Sequence, residues 1–318
     1  MKNPKVVALG GGHGLAATLA ALRAVTTNIT AVVTVADNGG SSGRLREEFD
    51  IYPPGDLRMA LAALCGDDEW GRSWAEIIQY RFTSEGALHN HALGNLLLAA
   101  LWDRDGDPVR GLEKVGDLLK VVGRVLPMAA QPLDIEATFD NDGREFVVRG
   151  QIQVATTPGR LISLRLIPEG ATALPQTLEA LAAADFITMG PGSWFSSVLP
   201  HVLVEEQRSA LSHSKAKKIL IVNLDASNHP SLSTKGEFAG YSPEEHLEIF
   251  HRYAPDIALD YIVADSSMID HRDALSTLAR EYGGELITAD LRSTSSPLHH
   301  DQRKLTSLFT HIFDKTLV

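Results

Sequence analysis

Three short segments of the sequence combine glycine with small polar residues, a pattern typical of loops that bind phosphate. They are GGGHG at 10–14, DNGGSSGR at 37–44 and GPGS at 190–193. Glycine lets the backbone approach a ligand closely, and free N–H groups at the start of a helix attract an anion. A tight turn that needs a positive φ angle explains any one segment equally well. Because each segment follows a predicted strand, we expect all three at one edge of a sheet, around one phosphate-containing ligand.

The first two segments also fit a dinucleotide-binding pattern. Gly12-x-Gly14-x-x-Ala17 matches the fingerprint G-x-G-x-x-G/A, and Asp37 lies where that fingerprint expects an acid for a ribose hydroxyl. However, Asp37 opens a second glycine-rich segment that continues to Arg44, whose guanidinium group is suited to phosphate oxygens. A solvated helix start is the alternative explanation of that arginine. NAD is therefore a second-ranked ligand.

Two further motifs carry polar residues that could line a pocket. In PPGDLRMAL, Asp56 is either a helix N-cap or a site carboxylate that holds a metal-bound phosphate or a hydroxyl. In LHNHALGNL, His89 and His91 are two residues apart, a spacing that does not share a helix face and disfavours zinc ligation. We expect His91 and Asn95 to form hydrogen bonds in the pocket wall.

The elements that must position these residues follow an alternating pattern of strands and helices. Strands are predicted at 5–9, 29–36, 185–190, 217–224, 259–265 and 285–291. Helices are predicted at 15–25, from about Asp56, at 70–81, 92–102, 174–184 and 201–214, and from Ser242. This pattern predicts an α/β fold with a doubly wound, mostly parallel, Rossmann-like sheet. Residues 125–168 differ, because alternating residues around an Asn-Asp-Gly turn predict a small antiparallel hairpin insertion.

The composition narrows the classes of partner. The 318 residues carry a net charge of −11, which argues against nucleic acid as the main partner. The one cysteine, Cys65, allows no internal disulfide and fits a reducing cytosol. There is no run of about twenty apolar residues, so we expect no membrane insertion. An exposed strand edge within 133–153 would suit a homodimer.

The motifs GGGHGL, TVADNGGSSGRLR, PPGDLR, HALGNL and GPGSWFSSVLP occur in this order and together resemble the gluconeogenesis factor (YvcK-type) family. That family is a bacterial relative of 2-phospho-lactate transferase. The resemblance extends more weakly to NL at 223–224 and GYSPEEHL at 240–247, so it implies a single CofD-like α/β domain over 1–318. It further implies a cytoplasmic protein that binds UDP-N-acetylglucosamine and is needed for cell shape on gluconeogenic carbon sources. An unidentified regulatory protein would sense whether the ligand is bound.

The resemblance also implies which residues bind the ligand. They are Gly10, Gly11, Gly12, His13, Gly14, Asp37, Asn38, Gly39, Gly40, Ser41, Ser42, Arg44, Asp56, His91, Asn95, Gly190, Pro191, Gly192, Ser193 and Asn223. No resident metal site is implied. His299 occupies a position where many members have arginine, and Arg303 lies close to it in the sequence. The alternative function is a magnesium-dependent transferase of phosphorus-containing groups, in which Asp56 would be catalytic and Asp56 or Asp37 would hold the magnesium.

Overall fold

The computed structural model describes residues 3–224, 241–296 and 299–317. The strands are β1 (Val6–Gly10), β2 (Ile29–Val33), β3 (Arg124–Pro127), β4 (Asp134–Asn141), β5 (Arg144–Arg149), β6 (Arg160–Ile167), β7 (Phe186–Met189), β8 (Lys217–Ile221), β9 (Tyr261–Asp265) and β10 (Glu285–Ala289). The first seven helices are α1 (Gly12–Leu22), α2 (Gly40–Phe49), α3 (Pro54–Ala63), α4 (Glu69–Gln79), α5 (Leu93–Asp105), α6 (Pro108–Leu119) and α7 (Gln151–Thr156). The remaining α-helices are α8 (Pro175–Ala183), α9 (Leu199–Leu203), α10 (Glu205–His213), α11 (Pro243–Tyr253), α12 (Arg272–Glu281) and α13 (Gln302–Leu317).

Seven strands form one parallel sheet in the order β10-β9-β8-β7-β1-β2-β3. The strand β1 lies between β2 and β7, and the strand order reverses at this point. All five residues of β1 are buried, as expected for the central strand of a sheet covered on both faces. The predicted doubly wound α/β fold is confirmed, and each of the six predicted strands of this sheet is present.

The predicted helices are also present, with one change and several additions. Residues 201–214, predicted as one helix, contain the end of α9 and all of α10, separated at Val204. The predicted start at Ser242 is confirmed as a capping box, in which Ser242 and Glu245 each bond to the other's backbone amide. The helix α2 begins at Gly40, inside the second glycine-rich segment.

Three strands form a separate antiparallel sheet in the order β5-β4-β6. The predicted hairpin is confirmed, but the predicted insertion boundary at residue 125 is wrong, because β3 pairs with β2 in the parallel sheet. The segment after Gly150 was expected to continue as a strand and forms the short helix α7 instead. The antiparallel sheet therefore begins at Asp134.

One face of the antiparallel sheet packs against the body of the protein. Ile135, Ala137 and Phe139 of β4 are buried, and the ring of Phe139 lies edge-on to Phe195, with 6.3 Å between the ring centroids. Phe195 belongs to a π-helical turn at Trp194–Val198 that directly follows the third glycine-rich segment. The small sheet therefore packs against the segment that follows β7 and helps to fix its position. None of the described helices combines the length and apolar character needed to span a bilayer.

Candidate functional site

The reversal of strand order between β1 and β7 creates a crevice at the carboxyl ends of these two strands. In open α/β sheets, ligands bind at such a position because the loops on either side lead to opposite faces of the sheet. Here the two loops are Gly10–Gly14 after β1 and Gly190–Ser193 after β7. The topology thus brings the first and third glycine-rich segments together, as expected.

Glycine is required in the first loop because other atoms approach its backbone closely. A Cβ at Gly11 would lie 2.6 Å from Oδ2 of Asp56 and would also overlap the hydroxyl of Thr34. A Cβ at Gly14 would overlap the carbonyl oxygen of Pro191 in the third loop. The first loop is thus packed against both Asp56 and the third loop.

The second loop is held by side chains on either side of it. Oδ1 of Asp37 accepts a hydrogen bond from the Gly39 amide at 2.8 Å, and Oγ of Ser42 accepts one from the Gly55 amide at 3.0 Å. The side chain of Asn38 donates to Oε1 of Gln153 in α7 at 3.1 Å. This loop therefore lies between the start of α3 and the helix that follows β5.

His91 and Asn95 form hydrogen bonds in the wall of the crevice. Nδ1 of His91 lies 3.0 Å from Oγ of Ser41, and Nδ2 of Asn95 donates to the same oxygen at 3.0 Å. Oδ1 of Asn95 accepts a hydrogen bond from Nε of Arg58 at 2.9 Å. The four side chains form one buried network that connects the second loop to α3 and α5.

Arg44 makes different contacts from those of the network. Its guanidinium group donates to the carbonyl oxygens of Ala87 and His89, at 3.0 and 2.8 Å. These bonds tie α2 to the segment that precedes α5. Contact of Arg44 with a phosphate stays a prediction.

The third loop is fixed by Asn223, which follows β8. The Gly192 amide donates to Oδ1 of Asn223 at 2.8 Å, and Nδ2 of Asn223 donates back to the Gly192 carbonyl at 2.6 Å. Oγ of Ser193 accepts from the Ser196 amide at 3.2 Å, which caps the π-helical turn. The amides of Gly39 and Gly192 are therefore already bonded within the protein. These two amides therefore stabilise the loops themselves, whereas the three-segment pattern predicts that amides of all three loops face one phosphate-containing ligand.

Asp56 is a buried carboxyl group at the meeting point of the first two loops. Burial, and secondarily the charge of Asp37, raise the pKa of Asp56 from 3.8 to about 7. Hydrogen bonds that Thr34 and the Gly12 amide donate to the carboxylate lower this pKa and so limit the rise. Near neutral pH this carboxyl group is therefore poised between its two protonation states.

Arg58 is a buried cation that the sequence analysis did not select as a site residue. Its side chain is 4% exposed, and burial lowers the pKa of its guanidinium to about 10. Its polar partners are the side chains of Asn95 and Gln79, and it forms no ion pair within the described residues. A buried guanidinium without a paired carboxylate is suited to an anionic ligand.

Two histidines complete this side of the crevice. The rings of His13 and His299 lie edge to face with 6.0 Å between their centroids, although 286 residues separate them. Burial, the charge of His299 and the charge of Arg58 all lower the pKa of His13. The segment containing His299 therefore returns to the first loop and contacts His13.

The residues of the crevice fit a magnesium ion that a ligand helps to hold. Asp37 and Asp56 supply carboxylates, and no cluster of three or more His, Cys, Asp or Glu side chains that could hold a metal occurs in the described ranges. Magnesium is usually held by one or two carboxylates together with phosphate oxygens and water. The pair therefore suits a cation that arrives with a diphosphate rather than one that is resident.

A cavity lies at the other end of the parallel sheet, apart from the glycine-rich loops. It has a volume of about 540 Å³ and is lined by residues at the amino ends of β1, β2 and β3, among them Lys5 and Arg124. Neither a glycine-rich loop nor a carboxylate pair lies among its lining residues. We therefore assign the candidate site to the carboxyl ends of the strands.

Comparisons with known proteins give consistent results over nearly the whole chain. The sequence model of a family described as "2-phospho-L-lactate transferase CofD" matches residues 6–318. A protein of Mycobacterium tuberculosis named "Putative gluconeogenesis factor" is 47% identical over 310 residues, covering 95% of this chain and 88% of that protein. A Listeria innocua protein named "Gluconeogenesis factor" is 35% identical over 266 residues, covering 84% of this chain and 79% of that protein.

A solved structure is similar to the same extent. The crystal structure of a UPF0052 family member from Bacillus halodurans superposes with a TM-score of 0.82 at 31% sequence identity. The match covers 98% of this chain and 99% of the other. The α/β architecture described above is therefore that of the UPF0052 structure as well.

Proposed function

Because this chain belongs to the CofD family and is related throughout its length to the gluconeogenesis factors, we propose that it is a regulator that binds a nucleotide sugar. The ligand we propose is UDP-N-acetylglucosamine, bound by its diphosphate in the crevice between β1 and β7. The observation that carries this proposal is the buried Arg58 guanidinium, whose charge acts on His13 of the first loop. The charges of Asp37 and Asp56 act on this guanidinium, but neither carboxylate forms an ion pair with it within the described residues.

The start of α1 supplies further donors for a diphosphate. The first amides of an α-helix have no partner within the helix, and in the described residues no hydrogen bond reaches the amides of His13 and Gly14. The positive end of the helix dipole adds to the attraction for an anion. Together with Arg58 these amides form a cationic surface on one side of the crevice.

The sugar and the base would occupy the ends of the crevice beyond the diphosphate. His13 and His299 supply ring nitrogens and aromatic edges there, and both side chains are solvent-accessible. Because the ligand would contact loops from both sides of the sheet, its binding would restrain their relative motion. We propose that a regulatory protein partner in the cytoplasm senses this restraint and that cell shape on gluconeogenic carbon sources depends on it.

A magnesium-dependent transferase is the second candidate function, and the pKa of Asp56 near 7 favours it. A general base is most effective when its pKa lies near the working pH. In such a reaction the hydroxyl of an acceptor would lose its proton to Asp56 and attack the distal phosphorus of the diphosphate. The bond between that phosphorus and the bridging oxygen would break, and a nucleoside monophosphate would leave. Asp37 would hold a magnesium ion that neutralises charge on the diphosphate, which leaves Asp56 free to accept the proton.

Titration calorimetry with UDP-N-acetylglucosamine tests the first proposal. We expect binding by the wild-type chain and a large loss of affinity in Arg58→Gln, whereas Arg110→Gln, which changes an exposed arginine on α6, should bind normally. UDP-glucose and GDP-mannose identify whether the sugar or the base determines selectivity. Absence of heat at millimolar ligand, with and without magnesium, would refute nucleotide-sugar binding.

Product analysis separates the two functions. The protein is incubated with UDP-N-acetylglucosamine, magnesium and candidate hydroxyl acceptors, and the release of uridine monophosphate is measured by chromatography. Persistent binding without release supports the regulator. Release that depends on magnesium and is lost in Asp56→Asn supports the transferase.

A further inference from the structure

The antiparallel sheet has two edge strands, β5 and β6, and among the described residues only the edge of β6 is bonded by groups outside the sheet. On β6, the hydroxyl of Tyr241 accepts a hydrogen bond from the Leu161 amide, and the hydroxyl of Tyr253 accepts one from the Leu164 amide at 2.7 Å. On β5, no group outside the sheet bonds to the strand's amides within the described residues. An uncovered strand edge offers its backbone groups to another strand.

The direction of the free backbone groups on β5 follows from one hydrogen bond. The Gly150 amide donates to the Ile135 carbonyl of β4 at 2.7 Å, and Gly150 directly follows the last residue of β5. In an antiparallel pair, residues alternately direct both backbone groups toward the partner strand and away from it. Glu145, Val147 and Arg149 therefore direct their N–H and C=O groups toward the free edge.

The side chains of these three residues share the outer face of the sheet. All three are exposed, and Val147 is 60% exposed. Each lies two residues from the next, so their side chains point to the same side. The free edge thus presents an acid, an aliphatic residue and a base in a row. The Arg149 guanidinium also forms an ion pair with Asp134 of β4 at 2.7 Å and stays half exposed beside it.

This row is complementary to itself. If two copies of β5 run antiparallel with Val147 opposite Val147, Glu145 of each copy lies opposite Arg149 of the other. Opposite charges in such cross-strand positions stabilise the pair. Centring the pair between Phe146 and Val147 instead would place Arg144 opposite Arg149, and like charges there are destabilising.

We propose that β5 pairs with β5 of a second copy of this chain, forming a two-fold symmetric dimer centred on Val147. The resulting sheet would be continuous across both copies, with six antiparallel strands from two three-stranded sheets. The same residues serve both sides of the interface, as two-fold symmetry requires. The proposal depends on the edge of the antiparallel sheet and is independent of the ligand bound at the parallel sheet.

Sedimentation analysis of the full chain and its charge variants tests the proposed register. We expect a dimer for the wild type. In Glu145→Arg the dissociation constant should rise roughly ten- to thirtyfold, because each of the two 145–149 pairs across the interface then joins two arginines. The double variant Glu145→Arg/Arg149→Glu exchanges the charges within each pair and should dimerise more tightly than Glu145→Arg. It also gives up the ion pair between Arg149 and Asp134 of the same chain, so the single variant Arg149→Glu is measured beside it. Ile162→Lys changes an exposed aliphatic residue on β6, the other edge strand, and is the control that should not change the association.

Cysteine crosslinking tests the position of the two-fold axis. The native Cys65 is buried, so Val147→Cys introduces an accessible thiol at the proposed axis. Residues directly opposite in a strand pair lie within reach of a disulfide, and we expect a covalent dimer under mild oxidation. Arg144→Cys should not crosslink, because the two copies of residue 144 would be six residues out of register, about 20 Å apart.

Restoration of the dimer by the double charge variant, together with crosslinking at 147 and not at 144, supports the proposal. A monomeric wild type at every accessible concentration, a dimer insensitive to Glu145→Arg, or equal crosslinking at both positions would overturn it. Far-ultraviolet circular dichroism establishes that each variant keeps the native fold.

Discussion

Replacing Asp56 with asparagine should stabilise the protein at neutral and alkaline pH and have no such effect in acid. The pKa of Asp56 is raised from 3.8 to about 7, mainly by burial. A carboxyl group whose pKa is higher in the folded state than in the unfolded state lowers stability when both states are ionised. The part of the unfolding free energy that depends on protonated Asp56 is fully present below about pH 4, and it is lost as the pH rises towards about 7.

The size of the effect follows from the pKa values. Each pKa unit corresponds to about 1.4 kcal/mol, so the full rise corresponds to about 4 kcal/mol of unfolding free energy. Asparagine has nearly the same shape and no charge. We therefore expect the stability advantage of Asp56→Asn over the wild type to grow by about 2 kcal/mol between about pH 5 and about pH 7, with little further change above pH 8.

Urea unfolding of both proteins across this pH range measures the difference directly. Asp142→Asn is a suitable control, because Asp142 is exposed and its positive φ of 55° is tolerated by asparagine. The control measures what the exchange of an exposed carboxyl group for an amide does by itself. A constant difference between Asp56→Asn and the wild type across the range would refute the raised pKa and the role of Asp56 as a base.

Three further changes test the loops and a helix end. Gly14→Ala adds a Cβ that overlaps the Pro191 carbonyl oxygen and should weaken UDP-N-acetylglucosamine binding roughly tenfold by calorimetry, whereas Gly86→Ala meets no atom within 4 Å and should bind normally. His299→Arg places a permanent positive charge beside His13 and should tighten the same binding roughly tenfold, measured in the same titration. Ser242→Ala removes the side-chain half of a capping box and should lower the free energy of urea unfolding by about 1 kcal/mol.

Each of these expectations has a contradicting result. Equal affinities in the two glycine variants would mean that contact between the first and third loops is not needed for binding. An unchanged or weaker affinity in the arginine variant would place the anion away from His299. An unchanged unfolding midpoint in the serine variant would mean that the cap contributes nothing to the stability of α11.

The parallel sheet was predictable because its signals are local. The Val-rich β1, followed by glycines and an alanine-rich helix, and the β-branched residues of β2 each indicate their structure within about ten residues. The strand β3 was assigned to the wrong sheet because its pairing with β2, some 94 residues earlier, has no local signal. Residues 151–154 alternate as a strand would, yet they form α7, where Asn38 accepts a hydrogen bond from the Ile152 amide at 3.4 Å.

The loops of the candidate site could be predicted from the sequence, but the burial of its charged side chains could not. Glycine-rich segments after strands predict a phosphate site from the sequence alone. The burial of Arg58 could not be predicted in this way, because arginine is mostly exposed and no local pattern marks an exception. Its burial depends on hydrogen bonds to Asn95 and Gln79, which lie on other helices. The commitment of the Gly192 amide to Asn223 is likewise a tertiary contact that no sequence pattern signals.

The position of β1 determines when the crevice can form during biosynthesis. The neighbours of β1 are β2, which follows within about two dozen residues, and β7, in which Phe186 aligns with Val6. The amide of Lys5 and the carboxylate of Asp185, which bond beside this pair, are 180 positions apart. A nascent chain on the ribosome can assemble β1 and β2 early, but one flank of β1 must stay open until more than half of the polypeptide has emerged. Recognition of the proposed ligand would thus depend on the late, long-range stage of folding, and truncated translation products ending before β7 would lack it.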